Sequence, residues 1–161
     1  MKTKIGFMQG RLVDSERKNR IQYFPARNWV KEIKLAKKNR LELMEWTIDN
    51  ENIHKNPLYN EKLFYKYKFI KKKYKFKIHS VTCDFFMYEP FFKLKNKRKH
   101  TAIYKLKKII YNGIKLGINI FVIPLVDRSS VKNYNQLNEI VKFFNNQNFI
   151  KILKKKNKIV F

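Results

Sequence analysis

One cysteine, four glycines and four prolines among 161 residues leave little material for several common kinds of protein. The lone Cys83 excludes a disulfide framework and a cysteine-built zinc site. The longest apolar run, Ile118 to Val126, is broken by Asn119 and falls far short of the ~20 residues that a membrane-spanning helix needs. Met1 to Gly6 leads straight into a strand, without the apolar stretch and small-residue cleavage site of a signal peptide. The expected location is therefore the cytoplasm. With glycine so scarce, no Gly-x-Gly-x-x-Gly follows the first strand and no Gly-x-x-x-x-Gly-Lys-Ser/Thr occurs anywhere, so dinucleotide and P-loop readings lack their phosphate cradles. Acidic residues are few as well: 12 against 38 Lys and Arg, for a net charge of +26.

Such a charge first points to nucleic acid or an anionic membrane. Its distribution argues otherwise. Lysine supplies most of it, spread from Lys2 to Lys158, while Asn and Ile are abundant and Ala, Gly and Arg scarce, the pattern that an A+T-rich genome imposes on any protein. No membrane and no specific nucleic acid are expected as partners. Charge-driven nucleic-acid binding stays open as an alternative, recognisable by its steep loss with salt. Hydrophobic residues at 44% and aromatics at 16% suffice for one core. A complete eight-stranded barrel, by contrast, typically needs about 200 residues or more.

What is present is an alternation of strand and helix patterns. Ile5 to Phe7 reads as a short strand running into the polar turn Met8 to Arg11. Asn28 is placed to cap a helix whose Trp29, Ile33 and Ala36 share one face. Leu41 to Ile48 is extended, and Asn56-Pro57 marks a break before a helix striped by Leu63, Tyr67, Ile70 and Tyr74. Phe76 to Cys83 is a third strand, and Ile103, Leu106, Ile110 and Ile114 trace a third helix that Gly117 can end in the left-handed region. Ile118 to Val126 reads as a buried parallel strand. Leu137, Ile140, Val141 and Phe144 continue, after the polar Asn145 to Asn148, into Phe149, Ile152 and Leu153. Lys158 to Phe161 begins a fifth strand. The class is α/β with a parallel sheet, and periodicity alone does not separate a doubly wound sheet from a barrel.

Ile5-Gly6-Phe7-Met8-Gln9-Gly10-Arg11-Leu12 resembles the opening strand of sugar phosphate isomerases/epimerases, the xylose isomerase-like TIM barrels. Leu43-Met44-Glu45-Trp46-Thr47 looks like that family's second strand, which ends on an acidic residue pointing into the pocket. Ser80-Val81-Thr82-Cys83-Asp84 and Val122-Ile123-Pro124-Leu125-Val126-Asp127 look like its third and fourth. The resemblance spans essentially the whole chain, residues 1–161, as a single incomplete domain: a partial (β/α)8 barrel of about strands one to four, their helices and the start of strand five. It implies a role in sugar metabolism, aldose-ketose isomerisation or epimerisation by metal-assisted proton transfer, with a sugar or sugar phosphate as substrate. The family's metal ligands and paired glutamates lie at strands five to eight. Phe161 precedes the place of the strand-five glutamate, so a truncated chain, inactive alone, is expected. No catalytic residue and no metal ligand are assigned within it, and a divalent metal is expected in a full-length parent.

Active sites of such barrels lie at the C-terminal ends of the strands. The substrate-binding candidates are accordingly Gln9, Arg11, Glu45, Trp46, Asp84 and Phe86. Arg11 can clamp a phosphate or carboxylate, and Glu45 and Asp84 can accept hydrogen bonds from sugar hydroxyls. Trp46, Phe86 and Phe91 can wall a sugar face, although core packing explains them equally well. Asp127 reads better as a helix cap. Cys83 has no base within reach. His79 invites comparison with the apurinic endonucleases, which share this fold and carry a zinc-binding histidine on their third strand. Strand four, with Ile123-Pro124-Leu125, offers no second histidine, so His79 is expected to be a buried or partly buried structural residue. A partial barrel would also expose two strand edges and an apolar inner face, and self-association is expected of it.

Overall fold

In the computed structural model, residues 5–14, 22–153 and 158–160 are described. Met1 to Lys4, which lead into the first strand, and Phe161, which the sequence assigns to the fifth, lie outside the described residues. Strands β1 (Gly6–Met8), β2 (Leu43–Thr47), β3 (Lys77–Thr82), β4 (Ile120–Val122) and β5 (Lys158–Val160) alternate with helices. The helices are α1 (Trp29–Lys38), α2 (Glu61–Tyr74), α3 (Phe85–Tyr88), α4 (Asn96–Lys115), α5 (Tyr134–Phe144) and α6 (Gln147–Leu153). All neighbouring strands pair in parallel, in the order β1-β2-β3-β4-β5. That order is sequential, whereas a doubly wound sheet reverses direction at a switch point.

Parallel pairing sets residues of adjacent strands in rows. One row, Phe7, Met44 and Ile78, and another, Trp46, Val81 and Phe121, belong to the face that the helices cover. Trp46 meets Trp29 of α1 and Tyr67 of α2 at ring-centroid distances of 6.0 and 5.4 Å. Gly113 of α4 lies so close to Phe121 that an added Cβ would stand 2.6 Å from its ring. Three successive crossover helices thus pack on one side of the sheet. Met44, Trp46, Val81 and Phe121 are fully buried, and at about 1.5–3 kcal/mol for each such side chain this face is the main cohesion between the layers.

The opposite face carries Met8, Glu45 and Ser80 in one row and Thr47, Thr82 and Val122 in the next. Its centre is polar and its flanks, Met8 on one side and Ile120 and Val122 on the other, are apolar, so the expected apolar inner face is present only in part. A second correction concerns the fourth strand. Only Ile120–Val122 of the expected Ile118 to Val126 is paired as strand. Pro124 has no N–H to give a ladder, and Val126 turns out to solvent at 54% exposure.

Helix α1, α2 and α4 end alike. At each terminus one residue is left-handed: Arg40 (φ 58°), Lys75 (φ 47°) and Gly117 (φ 77°). The following amide reaches back five residues, from Leu41 to Ala36, Phe76 to Lys71 and Ile118 to Gly113. These are Schellman caps, and each hands an apolar residue into the approach to the next strand. At the N-termini, Asn60 and Asn133 accept bonds from Leu63 N and Gln136 N. Asn28 stands at the start of α1 without a side-chain cap bond; Trp29 N bonds Pro25 O instead. Asp127 does not cap α5 either. It is exposed, with φ 49°, in a short 3-10 turn, and Asn133 fills that role.

Candidate functional site

Of the 12 acidic residues in this chain, Glu45 lies within β2, Asp49 and Glu51 in the loop beyond it, Asp84 just past β3, and Glu32 in the first turn of α1. Glu45, the middle residue of β2, is held by two hydroxyls of β3. Ser80 Oγ donates to its Oε2 at 2.8 Å and Thr82 Oγ1 to its Oε1 at 2.7 Å. Alternation along β3 places both hydroxyls on the Glu45 face. A carboxylate has about four lone-pair sites, so two hydroxyl donors leave it able to accept more bonds.

Two other acids shape the surrounding backbone. Asp49, just past β2, accepts Phe24 N at 2.9 Å and Asn52 N at 2.7 Å, tying the β1–α1 loop to the β2–α2 loop. Glu32 of α1 is fully buried and accepts Gly10 N at 2.7 Å and Leu12 N at 3.2 Å. Burial raises its carboxyl pKa above the ordinary value, against the opposing pull of those amides.

Beyond the strand ends lies a cleft of about 340 Å³, lined by Gln22, Asp49, Asn50, Glu51, Asp84 and Tyr88 among others. Its walls come from the loops that follow β1, β2 and β3. Asp84 opens α3 without making a cap bond to it. Burial first, then the nearby Asp49 and Glu45 carboxylates, pushes its pKa up to about 7 from 3.8. A carboxyl poised near neutrality can donate a hydrogen bond as well as accept one, and can pass a proton either way.

The sequence candidates divide in the structure. Asp84 lines the cleft, and Glu45, which does not, is near enough for its charge to help raise the Asp84 pKa. Gln9 is buried, its Oε1 accepting Thr47 N at 3.0 Å while its Nε2 has no partner among the described residues, so it braces β1 to β2 rather than facing solvent. Arg11 is exposed on the turn whose flanking amides bind Glu32. Trp46 and Phe86 are corrected as wall residues: both are in the core, at 0% and 2% exposure, and Phe91 with them. Trp46 points to the helix side, with its indole N–H on Asn56 Oδ1. His79 also differs from expectation. It is the extra residue where the β2–β3 register shifts, and it is exposed rather than buried. Cys83 is wholly buried, and burial holds its thiol pKa far above the usual range.

Sequence reasoning missed Ser80, Thr82, Asp49 and the cleft residues Gln22, Glu51 and Tyr88. The two hydroxyls were legible from the period-two pattern that pairs them with Glu45. The loop residues were not, because nothing local says which loops converge. Among the described residues no three His, Cys, Asp or Glu side chains are placed to share a metal ion. Among the described residues, too, no helix is long and apolar enough to cross a membrane. No protein-family model matches the chain, and neither does any curated protein.

Proposed function

We propose that the chain forms the N-terminal strands of a sugar isomerase/epimerase-like (β/α)8 barrel and that its carboxylates Glu45 and Asp84 bind the hydroxyls of a sugar or sugar phosphate in the cytoplasm. The carrying observation is Glu45, held by Ser80 and Thr82 in the middle of β2, with its charge felt at Asp84 just past β3. The sequential parallel sheet with three crossover helices on one face supports the same reading, since barrel active sites lie at the C-terminal ends of the strands, where Asp84 lies. Glu45 accepts from substrate hydroxyls, and Asp84, near its midpoint at neutral pH, donates or accepts as the sugar requires. Binding and orientation of the sugar are what this reading assigns to these residues.

The test is saturation-transfer NMR with xylose, fructose and their phosphate esters. Saturable binding is expected, weakened roughly tenfold by a Glu45→Gln/Asp84→Asn double substitution that leaves the melting transition cooperative. Absence of saturable binding to every one of these sugars, or binding indifferent to both substitutions, would overturn the reading.

A further inference from the structure

A second site stands out on the helical side of the molecule. Between α2 and α4 runs a cleft of about 480 Å³, in which Tyr65, Tyr104 and Tyr111 alternate with Lys107, Lys108 and Lys115. At Lys115 it meets a second cleft of about 430 Å³, floored by Phe76 and Leu116 and rimmed by six lysines, Lys115 included. Three lysines in the first cleft and six in the second, with one shared, make eight. The only carboxylate lining either is Glu61, at one end. The track follows α2 for some fifteen residues, roughly 20 Å.

Lysine alone would not distinguish this surface from the rest of a chain with 38 basic residues. The aromatics do. Tyr65, Tyr104 and Tyr111 are exposed at 63, 57 and 47%, an unusual outlay of ring surface on two neighbouring helices. The exposed side of α1, with Lys31, Lys34, Lys37 and Lys38, contributes no large exposed apolar residue. Along the track, ammonium groups lie across the rings: Lys115 is 4.1 Å from the Tyr111 centroid, and Lys108 is 4.8 Å from Tyr59 and 5.8 Å from Tyr104. Exposed contacts of that kind are weaker than the stacking of a base on a tyrosine, so a base can take the ring face while the lysine moves to a phosphate. Crowding of like charge is felt further along, where burial and Lys77 lower the pKa of Lys71.

We infer that the α2–α4 groove binds single-stranded nucleic acid without sequence preference, its tyrosines stacking bases and its lysines neutralising the backbone. Its length suits roughly four nucleotides, the low end of site sizes for such grooves. The site lies apart from the carboxylate cleft and does not depend on the sugar-binding reading.

Fluorescence anisotropy of the full chain with a labelled oligo-dT 12-mer, titrated at several salt concentrations, tests the inference. Tyr104→Ala/Tyr111→Ala should weaken binding at least tenfold at every salt concentration with the salt slope unchanged, and Tyr104→Phe/Tyr111→Phe should restore it. Lys107→Gln/Lys115→Gln should flatten the log–log salt slope by about 1.4. Lys34→Gln/Lys38→Gln on α1 should do neither. The inference is overturned if the tyrosine-to-alanine pair binds like wild type, if the α1 pair loses as much as the groove pair, or if inorganic polyphosphate binds as tightly as the oligonucleotide of equal charge.

Discussion

Asp84 has the most consequential titration among the residues of the carboxylate cleft. Its folded pKa of about 7 lies above the ordinary 3.8, so the folded chain holds this proton more tightly than the unfolded chain does. The resulting stabilisation is complete below about pH 4 and is lost as pH rises through 7, an effect on the order of 2–4 kcal/mol. Asp84→Asn should therefore raise the melting temperature at pH 8 and leave it nearly unchanged at pH 4. Melting curves of both proteins at the two pH values check this; equal shifts at both would refute it. Asp84 and Glu45 could be picked from the sequence because acidic residues at strand ends are conspicuous among so many lysines. Trp46 could not be oriented that way. Its place on the helix side follows from alternation with Glu45 and from Asn56, ten residues on, which accepts its indole proton and also bonds Thr47 O and Leu58 N.

At the level of elements, the shared helix ending is a source of strain as well as order. Gly117 meets the left-handed position without cost, but Arg40 and Lys75 have a Cβ there, at about 1–2 kcal/mol each. Arg40→Gly and Lys75→Gly should each stabilise the chain, by up to about 1 kcal/mol after the extra entropy of glycine in the unfolded state is counted, as read from urea midpoints. Gly117→Ala should lower the midpoint. The same three sites show what local sequence conveys. Gly117 announces the end of α4, whereas Arg40 and Lys75 end α1 and α2 with no such sign, through the pull of Leu41 and Phe76 into the next strand. The helix stripes were legible because Trp29, Ile33 and Ala36, or Tyr67 and Ile70, repeat at helical spacing. The limits of β4 were not, since an apolar run records burial, and pairing stops where Val122 gives way to a segment containing Pro124.

For the molecule as a whole, salt should act in opposite directions on two associations. A charge of +26 repels a second copy, and at ~0.1 M salt screening removes that repulsion beyond a Debye length of about 10 Å. The partly exposed Met8 and Val122 on the strand face opposite the helices, with β1 at the edge of the described sheet, offer a surface for self-pairing. Sedimentation velocity should show self-association growing with salt, while oligonucleotide binding in the α2–α4 groove declines. A monomer at all salt concentrations would remove the sheet as a contact surface.

The Asp84 cleft opens beyond the C-terminal ends of the strands, whereas Lys71, Lys75, Lys77 and Lys115 rim a cleft at their other end. A polyanion held along the α2–α4 groove lies apart from the Asp84 cleft, so that the same chain held on a charged polymer would leave a small neutral solute free to come and go.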